Sequence, residues 1–205
     1  MTEEKEHLQA LSDIRSMMER SSRFISLSGL SGIFAGIFAL AGAYIAYLKI
    51  YSISLREWKE GSFNDLIIFL LVDAVLVLIA SLSVGTLLTI RNSKKKGVKI
   101  WDNTSKRLLI NLLIPLATGG LFCLILINHF IFILVAPATL IFYGLALINA
   151  SKYTYNDIRY LGICEIILGL LASIYAGYGL FFWAAGFGLL HIIYGAIMYY
   201  KYERN

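Results

Sequence analysis

The chain has 205 residues, 59% hydrophobic and 15% charged, with a mean hydropathy of +0.73 and a formal net charge of +5. A water-soluble domain carries about 25% charged residues, so this composition excludes an ordinary soluble enzyme or a nucleic-acid-binding domain. A bilayer core about 30 Å thick needs about 20 apolar residues per helix, and the length accommodates six such helices with no soluble domain left over.

Residues 2–23 read as a cytoplasmic amphipathic helix. Thr2 caps it, Glu3 and Glu4 occupy its first turn, and Leu11, Ile14, Met18, Ser21 and Ile25 alternate three- and four-residue steps. Its acids and bases nearly cancel, whereas a helix lying on anionic lipid is richer in Lys and Arg. The expected partner is therefore another helix, from this protein, a second copy or a different protein. A plain extension of the first span is the alternative. The polar N-terminus does not read as a cleavable secretory signal, which makes the first span an uncleaved anchor.

Span 1 covers residues 24–48. Ser28, Gly32 and Gly36 fall at four-residue spacing, and Ala35, Ala39 and Ala43 form a neighbouring stripe. In lipid, small residues let helix backbones approach and dispersion drives packing. These glycines follow no strand, so they are not a nucleotide loop. Residues 49–62 form the longest outer connection, with room for an interfacial helix presenting Leu55 and Trp58 to lipid. Ser62 and Asp65 have capping-box spacing at the start of span 2, which covers 64–90 and contains Asp73. A basic loop comes next, from Arg91 through Lys94-Lys95-Lys96 to Arg107. Spans 3 to 6 then cover 108–127, 130–149, 160–176 and 180–200, with tight outer turns at Asn128-His129 and Gly177-Tyr178-Gly179. Cys123 and Cys164 fall inside spans and read as small buried hydrophobes.

Fifteen of the eighteen Lys+Arg fall on the side of the two termini and the basic loop. The positive-inside rule then places both termini in the cytoplasm. The expected fold is an all-α polytopic bundle: three in-out-in hairpins preceded by a cytoplasmic helix. A shift of 51 positions lays spans 3–4 on spans 5–6, with Ile141-Phe142-Tyr143-Gly144 falling on Ile192-Ile193-Tyr194-Gly195. Such a repeat is parallel, because both hairpins enter from the same side.

The segment Gly162-Ile163-Cys164-Glu165-Ile166-Ile167-Leu168-Gly169, the short turn after it and Ile193-Tyr194-Gly195 resemble the hairpins of small six-helix bacterial membrane proteins of the HdeD acid-resistance type. The chain is also similar in texture to multi-pass membrane proteins of Bacteroidetes-like bacteria. These resemblances imply a bacterial inner-membrane location and supply no active site. The polar N-terminal helix and the long first outer loop depart from the HdeD pattern. The alanine stripe also resembles the substrate-capture subunits of vitamin importers.

Ionisable residues inside a membrane are expensive and default to functional candidates. Three qualify: Asp73, Glu165 and His191. Glu165 lies 13 residues before Tyr178 and His191 lies 13 after it, so an antiparallel hairpin puts both at one depth, about 20 Å below the outer turn. The functional reading is a proton or substrate site; the structural one is a polar clasp between helices. Asp73 joins them only if span 2 packs on span 5 or 6. In span 3, Pro115 removes the hydrogen bond to the Asn111 carbonyl, and Thr118-Gly119-Gly120 come just after it. Asn111, Pro115, Thr118, Gly119 and Gly120 are thus expected to line a cavity at a broken helix, or to form a plain kink satisfied by a neighbour. Pro137 is a similar signal in span 4.

No metal-ligand spacing, haem-binding histidine pair or nucleophile–base motif is present, so no cofactor and no catalytic residue are assigned. Nucleic acid is not an expected partner; the lipid bilayer is. The resulting expectation is a non-enzymatic inner-membrane protein, structural or regulatory, that docks a partner through residues 2–23. The alternative is a small-solute or proton-coupled transporter, channel or substrate-binding subunit built around Glu165 and His191.

Overall fold

The computed structural model describes residues 24, 27–54, 62–97 and 100–204; the helix expected over 2–23 and the interfacial helix around Leu55 and Trp58 lie outside them. Among the described residues there are helices and turns and no strands. In hydrocarbon every backbone N–H and C=O must be satisfied within its own segment, and a helix does this.

Six helical segments result. They are α1 (Gly29–Ser54), α2 (Ser62–Lys95), α3 (Asn103–Asn128), α4 (Val135–Ala150), α5 (Asp157–Ile174) and α6 (Gly179–Tyr202). Tight single turns at Phe132–Leu134 and Ser151–Tyr153 flank α4. The middle of α6, Ala184–Leu190, widens into a π-helical stretch. Five of the six are long and apolar enough to cross a membrane, and α5 is the exception because it carries Asp157, Arg159 and Glu165. The most apolar window, in α2, has a mean hydropathy of 2.8 and no buried residue. Such a face is stable only against an apolar solvent.

Helix α3 starts five residues before the apolar span expected at 108, because Asp102 caps it. The Asp102 carboxylate accepts from the Ser105 N–H (2.7 Å), and the Asp102 N–H donates to Ser105 Oγ (2.8 Å). This closes a reciprocal capping box. Asp65 lies in the first turn of α2. Pro137 sits in the first turn of α4, where its missing N–H costs no helical bond. The turn before α6 uses Gly177 at φ 95°, a conformation that favours glycine.

The helices pack in the spatial order α3–α4–α5–α6–α1–α2, with α4 against α5 and α1 against α6 as the closest pairs. Small residues set both. A Cβ on Gly144 would meet the Gly162 carbonyl and Ile166, and one on Gly195 would meet the backbone of Gly29, Gly32 and Ile33. Gly36 faces the Gly188 carbonyl. Ala39 and Ala43 are buried on the same helix, while Ala35 is only half-buried. The glycine and alanine stripes of span 1 therefore pack helix on helix.

Polar contacts concentrate at the end of the bundle that carries the lysine-rich loop. The Glu203 carboxylate accepts from the Gly29 N–H and, at 3.1 Å, from Ser28 Oγ, so the end of the chain caps the start of α1. Thr154 Oγ1 donates to the Phe24 carbonyl, Asn92 Nδ2 donates to the Leu27 carbonyl, and Lys96 Nζ reaches Tyr155 Oη. Lys201 and Tyr202 donate to Asp157.

Candidate functional site

Glu165 lies midway along α5, between the two glycines that admit α4, Gly162 and Gly169. Close approach of the backbones leaves no room for solvent, and the Glu165 side chain is fully buried. Across from it, the π-helical stretch of α6 adds a residue to the turn and rotates the rest of the helix. His191, the first residue after it, is turned inward. Such wide turns recur at functional sites because they redirect side chains within a continuous helix. Gly186 stands directly against Glu165 Oε2, where any Cβ would collide with the carboxyl.

His191 Nδ1 lies 3.4 Å from Glu165 Oε1 and 3.0 Å from the Gly186 carbonyl. A carbonyl only accepts, so Nδ1 carries a hydrogen and donates. Nε2 lies 2.8 Å from Tyr143 Oη, contributed by α4. With Nδ1 protonated, the neutral ring accepts there from the tyrosine hydroxyl. Three helices thus each supply one polar group: Tyr143 from α4, Glu165 from α5 and His191 from α6. Both imidazole nitrogens are engaged, whereas neither Glu165 oxygen accepts a hydrogen bond. The rings of Tyr143, Phe187 and His191 stack around the cluster, with Phe187 4.9 Å from Tyr143 and Trp183 5.0 Å from Phe187.

This is a hydrogen-bonded tyrosine–imidazole pair with an unbonded carboxyl against it. A proton can reside on the carboxyl beside a neutral imidazole, or on the imidazole as an ion pair across 3.4 Å. Among the described residues there is no group of three His, Cys, Asp or Glu that could hold a metal ion.

The sequence-derived candidates separate cleanly. Glu165 and His191 come together. Asp73 does not join them: α2 packs on α1, and Asp73 faces Gly42 there. The break expected at Pro115 is absent, since α3 runs continuously from Asn103 to Asn128. The Asn111 carbonyl, which Pro115 deprives of its helical donor, accepts from Asn149 Nδ2 of α4 at 3.4 Å. Thr118 bonds back to the Ile114 carbonyl, Gly119 receives the Phe142 ring, and Gly120 faces open space. Asn111, Pro115, Thr118, Gly119 and Gly120 therefore form a satisfied proline site in a helix packed on α4, and not a broken helix aimed at Glu165.

Sequence reasoning missed Tyr143 and the wide turn. Tyr143 stood within the repeated segment Ile141-Phe142-Tyr143-Gly144, but nothing in its spacing names a histidine 48 residues away as its partner. The only trace of the wide turn is the glycine pair Gly186 and Gly188. Comparison with known proteins adds no identity, since no family model, curated protein or solved structure matches the chain.

Proposed function

We propose that this chain is a non-enzymatic, multi-pass membrane protein whose core binds and releases a proton at Glu165, linking protonation to the passage of a small solute. The observation that carries this reading is the fully buried Glu165 carboxyl, with neither oxygen hydrogen-bonded, 3.4 Å from an imidazole that is itself fully engaged. A purely structural clasp would satisfy its acceptors, because an unmet buried polar group is costly. An acid held between three helices with its acceptors unmet is instead one whose state can change.

All six helices cross the bilayer in this reading, with both termini and the lysine-rich loop on the cytoplasmic side of a bacterial inner membrane. The distribution of Lys and Arg supports that orientation. The polar contacts at that end, with Glu203 capping α1 and Thr154 holding Phe24, close the bundle below the site.

The test is infrared difference spectroscopy of the reconstituted full chain across a pH step, paired with a pH-sensitive dye inside the vesicles. The expected result is a protonated-carboxyl band that titrates in the parent protein and is missing in Glu165→Gln, with pH-dependent dye response lost in the same variant. Identical titration spectra in the two proteins would remove the proton site.

A further inference from the structure

Helix α6 is docked on different neighbours before and after its wide turn. Before the turn, Gly179–Trp183 packs mainly on α4 and α5; after it, His191–Tyr202 packs mainly on α1. The second half is held firmly there. Gly195 meets the backbone of Gly29, Gly32 and Ile33, and Glu203, just past the helix end, caps α1 through the Gly29 N–H and Ser28 Oγ. Helix α2 in turn packs on α1. The helices thus fall into two groups, α3–α4–α5 with the start of α6, and the end of α6 with α1 and α2, and Ala184–Leu190 runs between them. A wide turn joining two packed bodies is a place where a helix can change register without unfolding.

His191 follows that turn and faces back across it. Its Nδ1 donates to the Gly186 carbonyl at 3.0 Å, five residues earlier, the interval that a π-helical hydrogen bond spans. The imidazole therefore helps to hold the turn wide. The same Nδ1 lies 3.4 Å from Glu165 Oε1, and neither Glu165 oxygen accepts a hydrogen bond. The titratable groups facing the carboxyl are His191 from α6 and Tyr143 from α4, and Tyr143 Oη is committed to Nε2 at 2.8 Å. Cys164, beside Glu165 on α5, turns to Tyr194 Oη, and Lys152, in the turn packed on the start of α5, reaches Asn149. Among the described residues no Lys or Arg pairs with Glu165. The Nδ1–H group is thus the donor for which a carboxylate here competes.

We infer that ionisation of Glu165 closes the wide turn: the carboxylate draws Nδ1–H away from the Gly186 carbonyl, Ala184–Leu190 tightens into α-helix, and the two groups of helices move against each other. This rests on the proton-site reading above and names the movement that the proton drives. The proton leaves the carboxyl for water. The carboxylate gains a charge-assisted hydrogen bond, stronger than the neutral one it replaces, and the freed Gly186 carbonyl accepts from the backbone N–H four residues on, at Leu190. The contacts that cross between the two groups at the lysine-rich end are hydrogen bonds of Asp157 with Lys201 and Tyr202 and of Phe24 with Tyr153 and Thr154, together with Met198 packed among Leu147 and Leu161. Contacts of this kind re-form after a small slide.

The test is double electron–electron resonance on the full-length chain in lipid nanodiscs, with Cys123 and Cys164 replaced by alanine and spin labels on pairs of cysteines introduced at exposed positions. Arg91→Cys in α2 with Tyr160→Cys in α5 reads across the two groups. Leu109→Cys in α3 with Tyr160→Cys, and Arg91→Cys with Tyr200→Cys in α6, read within each group. One residue taken up from a wide turn is worth about 1.5 Å of rise and about 100° of rotation, so raising the pH through the titration of the Glu165 carboxyl band should change the cross-group distance by about 3 Å or more. The within-group distances should stay constant, and the distance change and the infrared band should share one midpoint. Glu165→Gln should hold the low-pH distance at every pH. A constant cross-group distance while the carboxyl band titrates overturns the inference and leaves the proton site standing. A pH-dependent distance that persists in Glu165→Gln overturns it too, as do two different midpoints in the parent even if the variant does not fold. If the carboxyl band does not titrate, both readings fall.

Discussion

Replacing Gly195 by alanine probes the close backbone contact between α1 and α6. A Cβ there would lie 2.6 Å from Ile33 N, 2.7 Å from the Gly29 carbonyl oxygen and 3.0 Å from Gly32 C, all backbone atoms of α1. Ordinary contact begins at 3.4 Å and the shortest of these is 2.6 Å, so α1 and α6 must part by about 0.8 Å. A radial gap of that size forfeits about a quarter to a half of the dispersion energy of every atom pair it opens, and overpacking of this kind costs about 1–3 kcal/mol. In lipid no hydrophobic effect between helices makes up the loss, because hydrocarbon solvates the separated faces equally well. Gly120 is the internal control: a Cβ there meets nothing within 4 Å, and glycine to alanine in a helix gains up to about 1 kcal/mol. Reversible unfolding in mixed micelles, monitored by far-UV circular dichroism, should therefore rank Gly195→Ala below the parent and Gly120→Ala level with it or above. Gly144→Ala should behave like Gly195→Ala, since its Cβ meets the Gly162 carbonyl and the Ile166 backbone. Equal stability of all three variants would refute the claim that backbone contact at glycine holds the bundle together.

Capping and kinking give two further expected outcomes. Asn149→Leu should cost about 1 kcal/mol or less by removing the donor to the Asn111 carbonyl; in a Pro115→Ala background, where α3 satisfies that carbonyl itself, the cost should vanish in a double-mutant cycle. At Asp102, burial pushes the carboxyl pKa up, but the hydrogen bonds from Ser105 and the Thr104 N–H outweigh it and hold the value below the ordinary 3.8. A depressed native value stabilises the fold above the unfolded value and is lost as pH falls through the native one. Thermal unfolding in detergent should show Asp102→Ala lowering stability by about 1 kcal/mol at neutral pH. Asp102→Asn, which still caps, should keep most of that stability but lose the acid-side fall below about pH 3.8.

Much of this architecture is written in residue order alone, for physical reasons. A long apolar run is suited to a helix because a helix satisfies its own backbone, so composition and span length locate the six helical segments to within about six residues at each end. The Glu165–His191 contact was legible because a tight turn at Gly177-Tyr178-Gly179 fixes the register of the hairpin, and equal counts from it give equal depth. What escaped depends on non-local packing. Asp73 sits in a helix whose partner, α1, no periodicity identifies. Pro115 looks like a break until Asn149 is found beside it, and Asn149 is 34 residues further along. The π-helical stretch at Ala184–Leu190 shifts His191 by a fraction of a turn, which no hydrophobic pattern encodes.

A likeness between two helix interfaces yields a last prediction. Gly169 meets the Pro137 carbonyl and Ile141, and Gly36 meets the Gly188 carbonyl and Ile192. Gly162 meets the Gly144 carbonyl, and Gly29 meets the Gly195 carbonyl. Pro137, Ile141 and Gly144 each stand 51 positions before Gly188, Ile192 and Gly195, so the α4–α5 and α6–α1 interfaces are congruent. In that correspondence the position of Glu165, three residues past Gly162, is held in α1 by Gly32, and that of His191 is held in α4 by the fully buried Leu140. Each interface thus carries only one of the two, the acid in α4–α5 and the imidazole in α6–α1, and the equivalent position in the other interface is filled without a charged group, so the packing does not require either. Replacing a buried charged pair by apolar residues of similar volume is commonly neutral or stabilising by about 1–4 kcal/mol, whereas removing one partner costs about 3–5 kcal/mol. A triple variant, Glu165→Met, His191→Leu and Tyr143→Phe, should therefore unfold at or above the parent in mixed micelles while losing the carboxyl band. His191→Leu alone should fall well below both, because it leaves the carboxyl with no polar neighbour from α6. A triple variant less stable than the parent would mean that the cluster holds the helices together, and the case for a site whose protonation state changes would lose its energetic basis.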